Sequence, residues 1–395
     1  MIRKILIGLL LALPAIALAE EPEISAQSHL NEVIEKILSA DGTISSRVIT
    51  IKAEQEEAQA ENMAPSPEIE FEHLWGRGQN RWSASVTQEI EWPGLYRSRS
   101  RQAQIQRSKS EALYGIYVAD RALTLKLIFI DLVNANLRCQ LYREIADNID
   151  SIASATQISY DMGEATVLDL RKAQIAAANA RADVRMAEGD LINLTGSTGG
   201  FGIYTQELTK LPLNAYPIQP LDDPIQSSDA IFQPYIDACA ESYANSIRVA
   251  KMSSLPSFSL GYVHAYEDRN HFNGFKVSLT LPSFDRKKRL RAAELSGMAA
   301  IFDQEAEYLN VIAECTAQYA TALKLKEELD RYAGLIDDNS YMELLKMAFD
   351  SGEMTVVDYI TEINLFRQSR LTYLDLEYRY NLALTRTNRY RGIGF

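Results

Sequence analysis

The sequence predicts a mainly α fold with a small membrane β-barrel, built from two tandem repeats. Each repeat joins two strands to a long antiparallel helical hairpin. Three observations carry this expectation: an internal repeat at one constant offset, four segments that alternate apolar and polar residues, and helical stretches too long for a globule.

Self-similarity outranks other signals, because a duplicated unit fixes the order of elements in both copies. At an offset of 189 residues, Pro67-Glu-Ile-Glu-Phe71 falls on Pro256-Ser-Phe-Ser-Leu260. Trp92-Pro93-Gly94-Leu95-Tyr96-Arg97 falls on Leu281-Pro282-Ser283-Phe284-Asp285-Arg286, and Arg181 on Arg370. Asp161-Met-Gly-Glu-Ala-Thr-Val-Leu-Asp169 falls on Asp350-Ser-Gly-Glu-Met-Thr-Val-Val-Asp358, with six of nine residues identical. Each copy opens with an amphipathic helical stretch (about 28–62 and 226–252). The repeats are placed at 20–194 and 229–395. The intervening 195–228, rich in Gly, Pro, Thr and Asp with a Gly199-Gly200 pair, reads as an irregular connector.

Residues 1–19 read as a secretory signal peptide: Arg3 and Lys4, an apolar run from Ile5 to Leu13, then Ala17-Leu18-Ala19 at a cleavage spacing. No later segment has the 18 uninterrupted apolar residues of a membrane helix, which leaves a β-barrel as the route across a bilayer.

Strands are expected at about 67–76, 82–92, 256–266 and 274–282, with polar turns at Gly76–Arg81 and Glu267–Asn273. Ile69, Phe71, His73 and Trp75 alternate with glutamates; Trp82, Val86, Ile90 and Trp92 share one face, interrupted by Gln88. Phe258, Leu260, Tyr262 and Tyr266 alternate with small polar residues, as do Phe275, Val277, Leu279 and Leu281. A half-buried soluble sheet shows the same alternation. Lengths of about 9–11 residues and aromatic residues near the strand ends match a bilayer crossing. Four strands do not close a barrel, and open edges are not tolerated in lipid, so a membrane reading requires several chains to pool their strands.

From Leu95 to Tyr160 there is no proline and one glycine, Gly115. Leu127, Ile130, Val133, Leu137, Leu141, Ile145, Ile149 and Ile152 recur in steps of three and four, one face of a helix or a coiled-coil seam. Phe284–Phe349 repeats the length, and helical stretches return over Thr166–Leu194 and Thr355–Asn388. The two hairpins are therefore placed at 95–194 and 284–388. Each spans about 100 Å at 1.5 Å per residue and needs neighbours to bury its sides.

The formal net charge of −13, more acidic still without Arg3 and Lys4, argues against a nucleic-acid partner. Cys139, Cys239 and Cys315 form neither a disulfide framework nor a CxxC pattern, and four histidines argue against a multi-histidine metal site. GxGxxG, Walker A, HExxH and GxSxG are all absent, so no catalytic residue, cofactor or metal is assigned and the chain is not expected to be an enzyme. His73 and His264, each on an apolar strand face, read as interfacial or intersubunit residues rather than ligands.

The exported duplicated unit, the strand pairs, and the two G-E-x-T-V-x-D turns at Gly163–Asp169 and Gly352–Asp358 resemble the TolC family of outer-membrane efflux proteins, over nearly the whole mature chain. The Trp92-Pro93-Gly94 corner resembles its heavy-metal efflux branch. The resemblance implies a homotrimer with a twelve-stranded barrel in outer-membrane lipid and a periplasmic helical tunnel. It also implies a periplasmic adaptor and an inner-membrane pump, of the RND type for that branch. Gly163, Glu164, Thr166, Gly352, Glu353 and Thr355 correspond to adaptor-contacting hairpin tips, and Asp169 and Asp358 to a periplasmic gate ring. Phe349 stands where the family has a tyrosine, and Met354 where it has an arginine. From the residues alone, both aspartates also fit capping boxes, and Gly163 and Gly352 fit helix C-termini with positive φ. The expected function is the exit channel of a tripartite efflux system for small molecules or metal cations. The alternatives are an exit duct for type I protein secretion and, in a different class, a periplasmic coiled-coil scaffold; an exported hydrolase ranks below both.

Overall fold

The computed structural model describes residues 21–76, 79–196, 205–221, 225–267, 269–281, 285–334 and 340–391. The signal-peptide reading, the Gly199-Gly200 pair and the Pro282 corner lie outside the described residues.

Two helices, α1 (Glu21–Ala40) and α2 (Gly42–Ala60), replace the single stretch expected at 28–62. Asp41 divides them. Its carboxylate accepts from the Thr43 N–H at 2.8 Å, capping α2, and from Arg121 at 3.0 Å. Strands β1 (Glu68–Gly76) and β2 (Gln79–Ile90) follow, then α3 (Pro93–Asp161) and α4 (Val167–Gly196). After the one-turn α5 (Thr205–Leu208), the second half lays down α6 (Ile225–Met252), β3 (Ser257–Glu267), β4 (Asn270–Thr280), α7 (Arg286–Ala333), α8 (Ser340–Asp350) and α9 (Val356–Thr387).

The helical stretch expected to run unbroken over 284–349 is divided. Its first part ends at Ala333, with Gly334, a poor helix former, as the C-cap. Strand β2 begins at Gln79 rather than 82 and stops at Ile90, because Trp92 must be extended to precede Pro93 and becomes the N-cap of α3. Its indole N–H donates to the Pro256 carbonyl. Strand β4 begins at Asn270, which shortens the turn expected over Glu267–Asn273.

The 69 residues of α3 form the axis of the molecule. At one end Val118, Leu125, Phe129 and Leu132 meet Leu30, Ile34 and Ile37 of α1. Leu208 and Leu211, in and just beyond α5, join this core, so part of the connector is strapped onto the helices. At the other end Leu141, Ile145, Ile149 and Ile152 pack against Ala177 and Ala180 of α4 and Tyr359, Ile363 and Phe366 of α9. The three-and-four spacing is thus a seam between helices from both halves.

The strands form one antiparallel sheet ordered β1-β2-β3-β4, and β2 pairs with β3 from Arg81↔Glu267 to Ile90↔Phe258. Strands β1 and β4 are its two edges. Cross-strand register gathers Ile69, Phe71, His73, Trp75, Trp82, Val86, Ile90, Phe258, Leu260, Tyr262, Phe275, Val277 and Leu279 on one face. Gln88, the polar interruption, donates to the Pro65 carbonyl at 2.7 Å. The opposite face carries Glu68, Glu70, Glu72, Ser85, Thr87, Glu89, Ser259, Lys276 and Ser278.

That polar face is concave. Three spacings of about 4.8 Å separate β1 from β4 in a flat sheet, about 14 Å in all. Yet Lys276 Nζ of β4 lies 3.0 Å from Glu70 Oε2 of β1. The lysine passes over Gly261, its register partner on β3, where a Cβ would lie 2.4 Å from Thr87 Cγ2.

Candidate functional site: two hairpin tips and an exposed sheet

Each hairpin turns through the same backbone device. Gly163 has φ +78° and Gly352 φ +76°, the left-handed region where an L side chain is strained. The Gly163 N–H donates to the Tyr160 carbonyl at 2.9 Å and the Glu164 N–H to that of Ser159 at 2.8 Å. At the second tip the Gly352 N–H donates to the Phe349 carbonyl and the Glu353 N–H to that of Ala348, both at 3.0 Å. Both pairs are Schellman motifs, which satisfy carbonyls that a helix end leaves open.

Three residues later each returning helix starts with a capping box. The Thr166 hydroxyl accepts from the Asp169 N–H at 3.2 Å and donates to Asp169 Oδ2 at 2.6 Å, while the Thr166 N–H donates to the same oxygen at 3.3 Å. Thr355 and Asp358 repeat the hydroxyl pattern at 3.2 and 2.6 Å. The bonds from Thr166 hold the Asp169 carboxyl below the ordinary aspartate range. Both aspartates therefore have the capping role, reciprocating the threonine N-cap of each returning helix.

The two tips differ in what they expose. Ile158, Met162, Val167 and Leu168 of the first tip are 58–62% exposed, beside exposed Glu164. At the second tip Phe349 lies against Tyr359, ring centroids 5.3 Å apart, and Met354 packs on the same cluster. Tyr359 is wholly buried and donates its hydroxyl to Asn148 Oδ1 of α3. Farther along α9, Arg367 Nη1 lies 2.6 Å from Asp183 Oδ2 of α4. The second hairpin is thus fastened to the first by Tyr359 and Arg367. No local spacing signals either contact, because Tyr359 and Asn148 stand 211 residues apart.

Among the described residues, nothing covers the apolar face of the sheet. Ile69, Phe71, Trp75, Phe275 and Val277 are 69–90% exposed. Each such side chain gains about 1.5–3 kcal/mol on leaving water. Soluble monomers rarely leave bare a contiguous apolar patch of more than a few hundred Å². No described helix is long and apolar enough to cross a membrane. Among the described residues, no group of three or more His, Cys, Asp or Glu is placed to share a metal. His73 sits on the exposed face against Trp75, and His264 faces His271.

Residues 33–195 match the family model described as outer membrane efflux protein. No curated protein sequence matches the chain. Among solved structures, a membrane protein from Pseudomonas aeruginosa superposes with a TM-score of 0.76 at 16% identity, covering 92% of this chain and 94% of its own. The outer membrane protein VceC of Vibrio cholerae gives 0.73 at 12% identity, covering 94% and 98%. The Campylobacter jejuni CmeC outer membrane channel gives 0.72 at 16% identity, covering 91% and 85%. At these identities the likeness is one of fold, and it extends over both repeats. The chain thus matches the outer membrane efflux protein model over residues 33–195 and shares the fold of these outer-membrane proteins over nearly its whole length.

Proposed function

We propose that the chain is one of three identical subunits of a passive exit channel in a tripartite efflux system, coupled through a periplasmic adaptor to an inner-membrane pump of the RND type. The observation that carries this reading is the sheet: an uncovered apolar face, a concave polar face and two unpaired edges. Such a sheet suits lipid outside and water inside once its edges are joined to those of further copies. Three copies supply twelve strands. The helices favour the same conclusion. The chain exposes 25610 Å², whereas a globular chain of 44.3 kDa exposes about 15,500 Å². The surplus is surface that neighbouring subunits would cover.

In this assembly the tips carrying Gly163, Glu164, Thr166, Gly352, Glu353 and Thr355 face the adaptor. The bare apolar residues of the first tip offer it a hydrophobic contact beside a carboxylate. Asp169 and Asp358 cap their helices and also narrow the tunnel mouth as rings of three carboxylates, which favour cations and oppose anions. The cargo is small molecules or metal cations. The chain performs no chemistry of its own, and the pump supplies the energy.

The test is planar-bilayer recording of the purified channel with Asp358→Ala and with Asp169→Ala added. The expected result is a higher single-channel conductance with weaker cation preference. Unchanged conductance and selectivity would remove the gate ring. A detergent-solubilised particle without threefold symmetry would remove the channel reading itself.

A further inference from the structure

His264 on β3 and His271 on β4 lie on the apolar face of the sheet, beside the β3–β4 turn. His264 Nε2 and His271 Nδ1 are 3.3 Å apart, with ring centroids separated by 5.4 Å. On its other side, His264 Nδ1 lies 2.7 Å from Asn273 Oδ1, which also accepts the Tyr262 hydroxyl at 2.6 Å. A carbonyl oxygen cannot donate, so it fixes the proton of a neutral His264 on Nδ1. The lone pair of Nε2 then points at His271. An imidazole whose outer nitrogen is held by an oxygen acceptor, leaving the inner one free, is the arrangement that orients metal-ligating histidines.

We propose that this pair binds a borderline divalent cation of the zinc and copper class at the rim of the sheet. The spacing supports it. Zinc–nitrogen bonds of about 2.0–2.1 Å at a tetrahedral angle put two ligand nitrogens about 3.3–3.4 Å apart, so the observed spacing matches once the His271 proton sits on Nε2 and frees the Nδ1 lone pair. A hydrogen bond at 3.3 Å sits beyond the usual 2.7–3.2 Å range, so His271 gives up little by turning its lone pair to a metal. Solvent fills the remaining positions, since His271 is exposed. The other histidines are engaged elsewhere: His29 faces Glu32 at 3.6 Å, and His73 lies against Trp75. A bound ion ties β3 to β4 within the ladder, on the diagonal between the His264↔Asn273 and Tyr266↔His271 pairs, close to the Glu267↔Asn270 pair that ends it. This inference does not depend on the exported cargo.

Trp82 supplies the readout, because its ring centroid is 5.4 Å from that of His264. The experiment titrates Cu²⁺, a quencher of indole emission, into the untagged full chain in detergent after chelator treatment, with Zn²⁺ as competitor. One of the three tryptophans adjoins the site, so the expected result is a saturable loss of up to about a third of the emission, displaced by Zn²⁺. His264→Ala and His271→Ala each abolish the saturable phase, while His73→Ala retains it. All are surface changes, and circular dichroism checks that the fold persists. A loss of emission that never saturates overturns the proposal, as does saturable quenching that survives both rim substitutions.

Discussion

Alanine at Gly352 isolates the cost of one backbone dihedral. Gly352 has φ +76°, and a Cβ built on it meets nothing within 4 Å, so no packing penalty is mixed into the result. The left-handed conformation costs an L side chain about 1–2 kcal/mol. At 1.4 kcal/mol per tenfold, that is roughly a 5- to 30-fold rise in the population of the opened turn. The reporter is the Glu353 amide, bonded to the Ala348 carbonyl at 3.0 Å only while the turn is closed. Hydrogen–deuterium exchange over the peptide containing Glu353 measures it directly. Gly352→Ala is expected to accelerate exchange by about 5- to 30-fold. Gly352→Asn, which tolerates positive φ, is expected to fall well short of that. Equal rates for glycine, asparagine and alanine would refute the argument, because the Schellman bonds would then not depend on the left-handed glycine.

Two further outcomes follow from named contacts. Gly297 of α7 faces the Tyr243 ring of α6, where a Cβ would come within 2.0 Å of Cδ2; Gly297→Ala is expected to cost about 1–3 kcal/mol in denaturant unfolding, with Tyr243→Ala restoring part of it. The Asp169 carboxyl, held low by its bonds to Thr166, stabilises the start of α4 fully above its ordinary pKa of 3.8 and loses that contribution as the pH falls through its lowered folded value. The melting temperature of Asp169→Ala should therefore lie below that of the parent at neutral pH, and the two should converge in acid.

Much of this architecture was legible because duplication and periodicity are local signals. The alternation of Ile69, Phe71, His73 and Trp75 needed only a side-chain period of two, and the register kept that face intact across all four strands. The G-E-x-T-V-x-D turns announced both a left-handed glycine and a capping box, and both are present at each tip. Misplaced boundaries had specific causes. Asp41 was hidden inside an amphipathic run, and its capping bond to Thr43 breaks that run in two. The segment 267–273 reads as a polar turn, yet ladder pairing overrides its composition and carries β4 back to Asn270, which gives His271 a face and a neighbour. Tyr359 was illegible for another reason. Its partner Asn148 belongs to the other half of the chain, and only the packing of α9 on α3 brings them together.

A strip that bends by a fixed angle and ends in two bare margins carries its own stopping rule. Each added copy turns the strip further, and growth ends when the last margin meets the first. Here the bend lies inside one chain, where Lys276 leans across Gly261 to Glu70 over the seam between the duplicated halves. In the proposed channel, how many copies make a ring would therefore be set within each polypeptide before any two of them touch.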